Sequence, residues 1–144
     1  MRVVIDTNVV IAGLYSKRGA SFKILEAALL NRLDYAISPL IAWEYLGKIE
    51  AKVKEGLLKL PLDDYLNIVQ TLIQNGHQIF KPILNRPTLP DNSDDKILEC
   101  AIAGHCQMIL TFNTKDFPAA ILKWYALEAI YPGEFLQKGG LNPL

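Results

Sequence analysis

Cysteine and histidine are scarce in this sequence. Among 144 residues there are two of each, and Cys100 and Cys106 stand six positions apart, a spacing that suits neither a zinc site nor a disulfide framework. We expect both to be reduced thiols in the core. His77 and His105 have no metal-ligand spacing to another candidate, so we interpret them as structural residues.

The sequence also lacks a net charge and any long apolar run. Fifteen basic residues balance fifteen acidic ones, so the bulk charge does not indicate a nucleic-acid-binding protein, and any such surface must be local. No apolar run approaches the length of a membrane span, and the N-terminus has the character of a strand rather than of a signal peptide. We therefore expect a cytoplasmic protein without membrane contact.

The length fits one compact domain. Hydrophobic residues make up 51% of the chain and charged residues 21%, without low-complexity tracts. Such a chain can bury a core without disulfides or a structural metal. We predict a single domain over residues 1–138 and a flexible C-terminal tail over residues 139–144.

Short apolar runs alternate with helical patterns, which indicates an α/β fold with a parallel sheet. Residues 3–5 and 107–111 have the composition of buried strands. Residues 9–12 are predicted to form a short helix that Gly13 ends. Ser38 followed by Pro39 predicts a capped helix that runs to about Lys54.

Acidic residues occur where the predicted strands end and helices begin. Asp6 directly follows the first strand, at the edge where open α/β sheets bind ligands, but it can equally be an N-cap. Glu44 lies in the second turn of the third helix, at the border of its apolar side. It is either a site residue or a rim residue paired with Lys48 four positions on.

Three carboxylates, Asp91, Asp94 and Asp95, precede a later apolar helix. The helix dipole favours acids there, yet three mutually repelling carboxylates are costly unless a cation lies among them. Asp94 shares a helix face with Leu98 and Ala101 and is therefore predicted to point inward.

A second polar cluster follows the strand at 107–111, where the chain continues through Thr111, Asn113 and Asp116. Asp116 can also be a simple turn residue before Pro118. In a parallel sheet with right-handed crossovers, the ends of these strands share one edge with Asp6. Oxygen ligands of this kind suit Mg²⁺ or Mn²⁺, and such ions suit phosphoryl chemistry. The sequence has no Ser/His or Cys/His pair, Walker loop or GxGxxG that would offer another chemistry.

Four segments together resemble the PIN domain, over residues 2 to about 130 and in the same order. They are Val-Ile-Asp-Thr-Asn at 4–8, Glu44 in the third helix, Asp-x-x-Asp at 91–94 before Lys-Ile-Leu-Glu-Cys-Ala, and Ile-Leu-Thr-Phe-Asn-Thr-Lys-Asp-Phe-Pro at 109–118. The resemblance implies a three-layer α/β/α sandwich with a parallel sheet ordered 3-2-1-4-5. It also implies a Mg²⁺- or Mn²⁺-dependent endoribonuclease. The pattern is most similar to the bacterial VapC-like subgroup, the toxin components of toxin–antitoxin pairs, which implies RNA as substrate, a cognate antitoxin and frequently a homodimer.

The resemblance also implies roles for individual residues. The acidic quartet corresponds to Asp6, Glu44, Asp94 and Asp116, of which Asp6, Asp94 and Asp116 are the expected metal ligands. The resemblance also gives Asn8, Asp91 and Asn113 as supporting polar and acidic residues. Thr111 and Asp95, which neighbour these positions in the sequence, complete the supporting set. Asp95 directly after Asp94 departs from the family pattern and leaves open which of the two faces the metal.

Loop positions near the proposed edge give candidate RNA contacts, namely Lys17, Arg18 and Lys115. A solvated loop explains Lys17 and Arg18 equally well. Should they not contact RNA, Lys48 and Lys52 are the alternative path.

Two further functions compete with an RNA-cleaving enzyme. A haloacid-dehalogenase-like phosphatase would also begin with a strand and an Asp, but it would need a second Asp at position 8, where Asn8 stands. A non-catalytic PIN scaffold that binds RNA or protein would not need all four acids. Among RNA-cleaving enzymes, a PIN nuclease of RNA processing is the alternative to a toxin.

Overall fold

The computed structural model describes residues 1–80 and 89–141. Its strands are β1 (Arg2–Ile5), β2 (Asp34–Ile37), β3 (His77–Gln78), β4 (Met108–Leu110) and β5 (Glu128–Ile130). Its α-helices are α1 (Thr7–Tyr15), α2 (Ala20–Leu29), α3 (Pro39–Lys54), α4 (Leu62–Asn75), α5 (Asp95–Ala103), α6 (Ala119–Leu122) and α7 (Pro132–Gln137). Short 3₁₀ turns cover Asn92–Asp94, Thr114–Asp116 and Lys123–Tyr125. Among the described residues, none of these helices combines the length and hydropathy needed to cross a bilayer.

All pairings in the sheet are parallel, and the strand order is β3-β2-β1-β4-β5. This confirms the predicted three-layer α/β/α fold and its order 3-2-1-4-5. The central strand β1 is registered with both neighbours, since Val3 lies opposite Tyr35 of β2 and Met108 of β4. Because helices cover both faces of a parallel sheet, β1 is apolar from Val3 to Ile5, and Val3 and Val4 are fully buried.

Helix α3 begins and ends as predicted. The Ser38 hydroxyl accepts the amide proton of Ile41 at 3.3 Å, and Pro39 occupies the first turn, where no amide donor is needed. Its buried face carries Ile41, Tyr45 and Ile49. The Tyr45 hydroxyl donates to the carbonyl of Ile5, which fixes the helix against the end of β1.

Gly13 does not end α1, contrary to the sequence prediction, because the helix continues to Tyr15. The glycine has a packing role instead. A Cβ atom at this position would lie 2.9 Å from the Ser21 carbonyl oxygen and 3.1 Å from the Leu25 side chain. Gly13 therefore allows α1 and α2 to pack closely.

Other differences concern short segments. The runs at 33–38 and 77–80 predict two further strands, and β2 and β3 are shorter than these runs. Helix α6 with its adjoining 3₁₀ turn was not predicted. The proline-punctuated run from Lys81 to Asn92 predicts a loop, and it lies mostly at 81–88, outside the described residues. Cys100 and Cys106 are both free and buried, as predicted, and burial raises the pKa of each thiol to about 12. The domain and tail boundaries stay predictions, although Leu141 packs against the core.

Replacing Gly13 with alanine should destabilise the fold, because the new methyl group meets backbone and an adjacent helix. We expect a loss of about 1–3 kcal/mol in the free energy of unfolding, measured by urea denaturation. Gly47 is the matched control. It also lies within a helix, α3, but a Cβ there meets nothing within 4 Å, so Gly47→Ala should stabilise by about 0.5–1 kcal/mol. Equal effects of the two substitutions would contradict the packing role of Gly13.

Candidate active site

The carboxyl ends of the central strands open into a cavity of about 370 Å³, hereafter the acidic cavity. It brings together the four acids that the sequence singled out, along with three of the five supporting residues. The lining residues are Asp6, Thr7, Asn8, Ile11, Glu44, Lys48, Lys52, Asp91, Ser93, Asp94, Asn113 and Asp116. Thr111 and Asp95 lie behind the cavity wall and are fully buried.

Asp6, at the end of β1, is held by three hydrogen bonds to α1 and β4. Its backbone amide donates to the Leu110 carbonyl of β4 at 2.9 Å. One carboxylate oxygen accepts the Thr7 amide at 2.8 Å and so caps α1, while the other accepts the Thr111 hydroxyl at 2.7 Å. Burial raises the pKa of Asp6, although these two hydrogen bonds oppose the shift. The two interpretations of Asp6 are thus compatible, since the residue is an N-cap and also lines the acidic cavity.

Glu44 has two partners inside the protein. The Thr7 hydroxyl donates to one of its oxygens, and the Lys96 ammonium lies 3.1 Å from the other. The alternative pairing with Lys48 is therefore wrong. The side chain of Lys96 is only 16% exposed, and it also donates to the Ser93 carbonyl. Lys96 thus links Glu44 on α3 to the turn that carries the aspartates.

The structure distinguishes the two adjacent aspartates, Asp94 and Asp95. Asp95 is fully buried and accepts the Leu89 amide at 2.9 Å, so it faces away from the acidic cavity and holds the preceding segment. Asp94 occupies the N-cap position of α5 but forms no capping hydrogen bond. Its side chain lines the acidic cavity instead, as the shared face with Leu98 and Ala101 predicted.

Of the acids that line the acidic cavity, Asp94 has the most strongly raised pKa. Burial, followed by the charges of Asp6, Asp116 and Asp91, raises the pKa of its carboxyl group to about 7, and Lys96 only partly offsets this. Its Oδ2 atom is buried and has no hydrogen-bond partner among the described residues. Such an orphaned acceptor is unusual in a folded protein and calls for an explanation.

The remaining predicted residues form the rim. Asp91 caps the 3₁₀ turn by accepting the Ser93 hydroxyl at 2.8 Å and its amide at 2.9 Å, and these bonds lower the pKa of Asp91. The Asn8 side-chain oxygen accepts the Phe112 amide at 3.4 Å. Asp116 ends the 3₁₀ turn after β4 and lines the cavity from the opposite side.

The basic residues around the cavity differ from those predicted. Lys17, Arg18 and Lys115 do not line it, whereas Lys48 and Lys52 do. Lys17 and Arg18 do not reach the cavity because α1 is longer than predicted. Its nine residues extend about 13 Å from the sheet edge that carries Asp6 before the loop with Lys17 and Arg18 begins. The placement therefore favours the alternative path along α3.

Thr7 and Lys96 are site residues that the sequence analysis missed. Thr7 entered the sequence analysis only as part of the segment at 4–8, and its hydroxyl contacts a residue 37 positions away, which a local pattern cannot show. Lys96 had one available signal, since it is the only basic residue among the acids at the start of α5.

The donor set suits a hard divalent cation. Within residues 1–80 and 89–141, no three Asp, Glu, His or Cys side chains are already arranged around a common metal position. Mg²⁺ does not require such a cage, because it retains several water ligands and binds proteins through one or two carboxylates. A cation beside the orphaned Oδ2 of Asp94 would also neutralise the charges that raise its pKa. The residues present therefore fit Mg²⁺ or Mn²⁺.

Comparison with known proteins identifies the family. The PIN domain model matches residues 2–115, which is most of the chain, so the protein belongs to the PIN domain family, a family of nucleases. Its fold is similar to that of a chain in the crystal structure of VapBC2 from Rickettsia felis bound to a DNA fragment from their promoter. That match has a TM-score of 0.54 and 14% identity and covers 91% of this chain and 98% of the other. None of the curated protein sequences compared with this chain matches it significantly.

Asp94→Asn should stabilise the metal-free protein more at pH 8 than at pH 5. The pKa of Asp94 is raised to about 7 in the folded protein. Between about pH 4 and pH 7 the Asp94 carboxyl group is therefore ionised in the unfolded chain but still protonated in the folded protein, so folding becomes less favourable as the pH rises through this range. An amide removes this dependence. Thermal unfolding in chelator, compared between variant and parent at both pH values, measures the effect. If the difference in melting temperature between variant and parent did not depend on pH, the pKa of Asp94 would not be raised in the folded protein.

Proposed function

We propose that this protein is a metal-dependent endoribonuclease that hydrolyses phosphodiester bonds in single-stranded or structured RNA by in-line attack of water. The observation that carries the proposal is the Asp94 carboxylate, which lies in the acidic cavity with an unpartnered oxygen and with a pKa raised by burial and by the charges of Asp6 and Asp116. Membership of the PIN family supports the choice of a nuclease over a phosphatase. The asparagine at position 8 also favours a nuclease, because a haloacid-dehalogenase-like phosphatase would need an aspartate there.

Asp6, Asp94 and Asp116 are the residues that would hold Mg²⁺ or Mn²⁺, one or two of them directly and the rest through water ligands of the ion. When bound, the ion would activate water and stabilise the leaving oxygen. The chain itself positions the surrounding groups. Thr7 and Lys96 fix the Glu44 carboxylate, and Thr111 orients that of Asp6, so neither must reorganise when a substrate binds.

We also propose that the protein is the toxin component of a toxin–antitoxin pair, with a cognate antitoxin and a homodimeric assembly. This rests on the VapC-like pattern of the sequence, and the similar structure from Rickettsia felis is itself a VapBC complex. A non-toxin PIN nuclease of RNA processing is the alternative. A small gene for an antitoxin immediately beside this one would favour the toxin.

Asp6→Asn and Asp94→Asn should each abolish Mn²⁺-dependent cleavage of a fluorescently labelled single-stranded RNA. An amide keeps the shape of the side chain but removes the charge needed to hold a cation. Asp63→Asn is the matched control, because Asp63 lies in the first turn of α4, exposed and outside the acidic cavity. It should lose at most about 1 kcal/mol of dipole stabilisation and keep its activity.

Full cleavage by Asp6→Asn would show that Asp6 is only a cap for α1. Loss of the fold in Asp6→Asn, without any change specific to metal, would have the same meaning. Circular dichroism of each variant separates these cases from loss of activity in a folded protein.

Millimolar Mn²⁺ or Mg²⁺ should raise the melting temperature of the parent protein, with a stabilisation that grows with the logarithm of the metal concentration. Asp94→Asn should show a much smaller increase, since the variant lacks both the proposed ligand and the repulsion that metal relieves. Differential scanning calorimetry in chelator and in metal gives the comparison. An identical response of variant and parent would place the metal elsewhere.

A further inference from the structure

The outer face of α3 carries an exposed apolar trough directly beside the acidic cavity. Trp43 is 76% exposed and Leu40 is 51% exposed, and with Gly47 and Ala51 they line a space of about 560 Å³. Gly47 has no side chain and no neighbour that a Cβ would meet, so the space above this residue is open. Contiguous exposed apolar surface, unlike singly scattered residues, is typical of binding sites.

The trough and the acidic cavity are adjacent. Glu44 and Lys48 line both, so a ligand that passes over these two side chains contacts both spaces. Trp43 and Glu44 are neighbours in α3, which places the ring one residue from the quartet. The second tryptophan, Trp124, is equally exposed at 79% but lines neither space.

The charges around the trough favour an anionic occupant. Lys48 stands at the junction and forms no ion pair or side-chain hydrogen bond with another described residue. Lys96 lines the trough as well, and Lys52 lines the acidic cavity one helical turn further on. A second copy of the chain seated here about a two-fold axis would bring the lysines of both copies into one contact.

We propose that Trp43 is a stacking platform for one unpaired base of the RNA substrate, with Lys48 contacting the phosphate between that base and the acidic cavity. The proposal rests on the nuclease function proposed above and adds a substrate requirement to it. A base can stack on Trp43 only when it is free of a duplex, so the site selects single-stranded RNA. Every base has a π-face, so the preference among bases should be weak.

The two tryptophans allow a direct test. In an Asp94→Asn background, which removes cleavage and repulsion, Trp124→Phe leaves Trp43 as the only tryptophan. Titration with a single-stranded hexauridylate at low salt should quench its fluorescence saturably. In the same background, Trp43→Phe leaves Trp124 as the reporter, and its fluorescence should not change. A blunt RNA duplex should quench neither.

Affinity is measured separately by the anisotropy of a labelled hexauridylate. Trp43→Leu, which keeps apolar bulk without a ring system for stacking, should weaken binding at least about fivefold. Trp43→Phe should retain most of the affinity, and Trp124→Leu is the matched control and should match the parent. With Asp94 restored, Trp43→Leu should raise KM and change kcat little.

Several outcomes would overturn the inference. Unchanged RNA affinity of Trp43→Leu, or no quenching of Trp43, would refute the stacking role of Trp43. If the parent protein still cleaves RNA, the proposed nuclease function is kept without it. Light scattering that shows Trp43→Leu to be a monomer where the parent is a dimer, with unchanged RNA affinity, would assign the trough to a protein contact. Conversely, failure of the parent to cleave RNA in Mn²⁺ refutes the proposed function, and the quenching experiment still reports on nucleic-acid binding.

Discussion

The structure of this PIN domain depends on the way in which Asp6 is fixed. Its backbone continues the pairing of β1 with β4, and its two carboxylate oxygens accept one hydrogen bond from the start of α1 and one from the end of β4. A carboxylate has about four acceptor sites, so these bonds leave lone pairs for the acidic cavity. The Asp6 side chain therefore joins three elements of the fold and also presents lone pairs to the acidic cavity. Its structural role is compatible with the proposed catalytic role.

The charge of the acidic cavity is balanced unevenly. Glu44 has Lys96 and Thr7, and Asp91 has the Ser93 amide and hydroxyl, so these two acids are compensated by direct contacts. Asp94 has no comparable partner for its Oδ2 atom. The repulsion within the cluster is thus concentrated on one residue at the N-cap of α5. A cap that satisfied Asp94 would stabilise the helix but would remove the acceptor that a cation needs.

The sequence predicted those features that local rules determine. Asp6 follows from a buried strand that ends in a carboxylate, and the start of α3 follows from Ser38 and Pro39. The strand order came from the family resemblance. The Glu44–Lys96 pair could not be predicted, because 52 positions and two different helices separate the residues. Lys17 and Arg18 were misplaced because Gly13 was interpreted as a helix end, whereas tertiary packing of α1 on α2 explains that glycine.

Helix α3 shows how the core determines what the surface presents. Its inner face is fixed in rotation by the Ser38 cap, by the burial of Ile41 and Ile49, and by the Tyr45 hydroxyl on the Ile5 carbonyl. With that rotation set, the residue before Glu44 must point outward. An aromatic ring at position 43 therefore projects from α3 beside the acidic cavity, where it is 76% exposed. Preorganisation of this kind reduces the conformational entropy lost on binding, because the helix and its rotation are already fixed by the core.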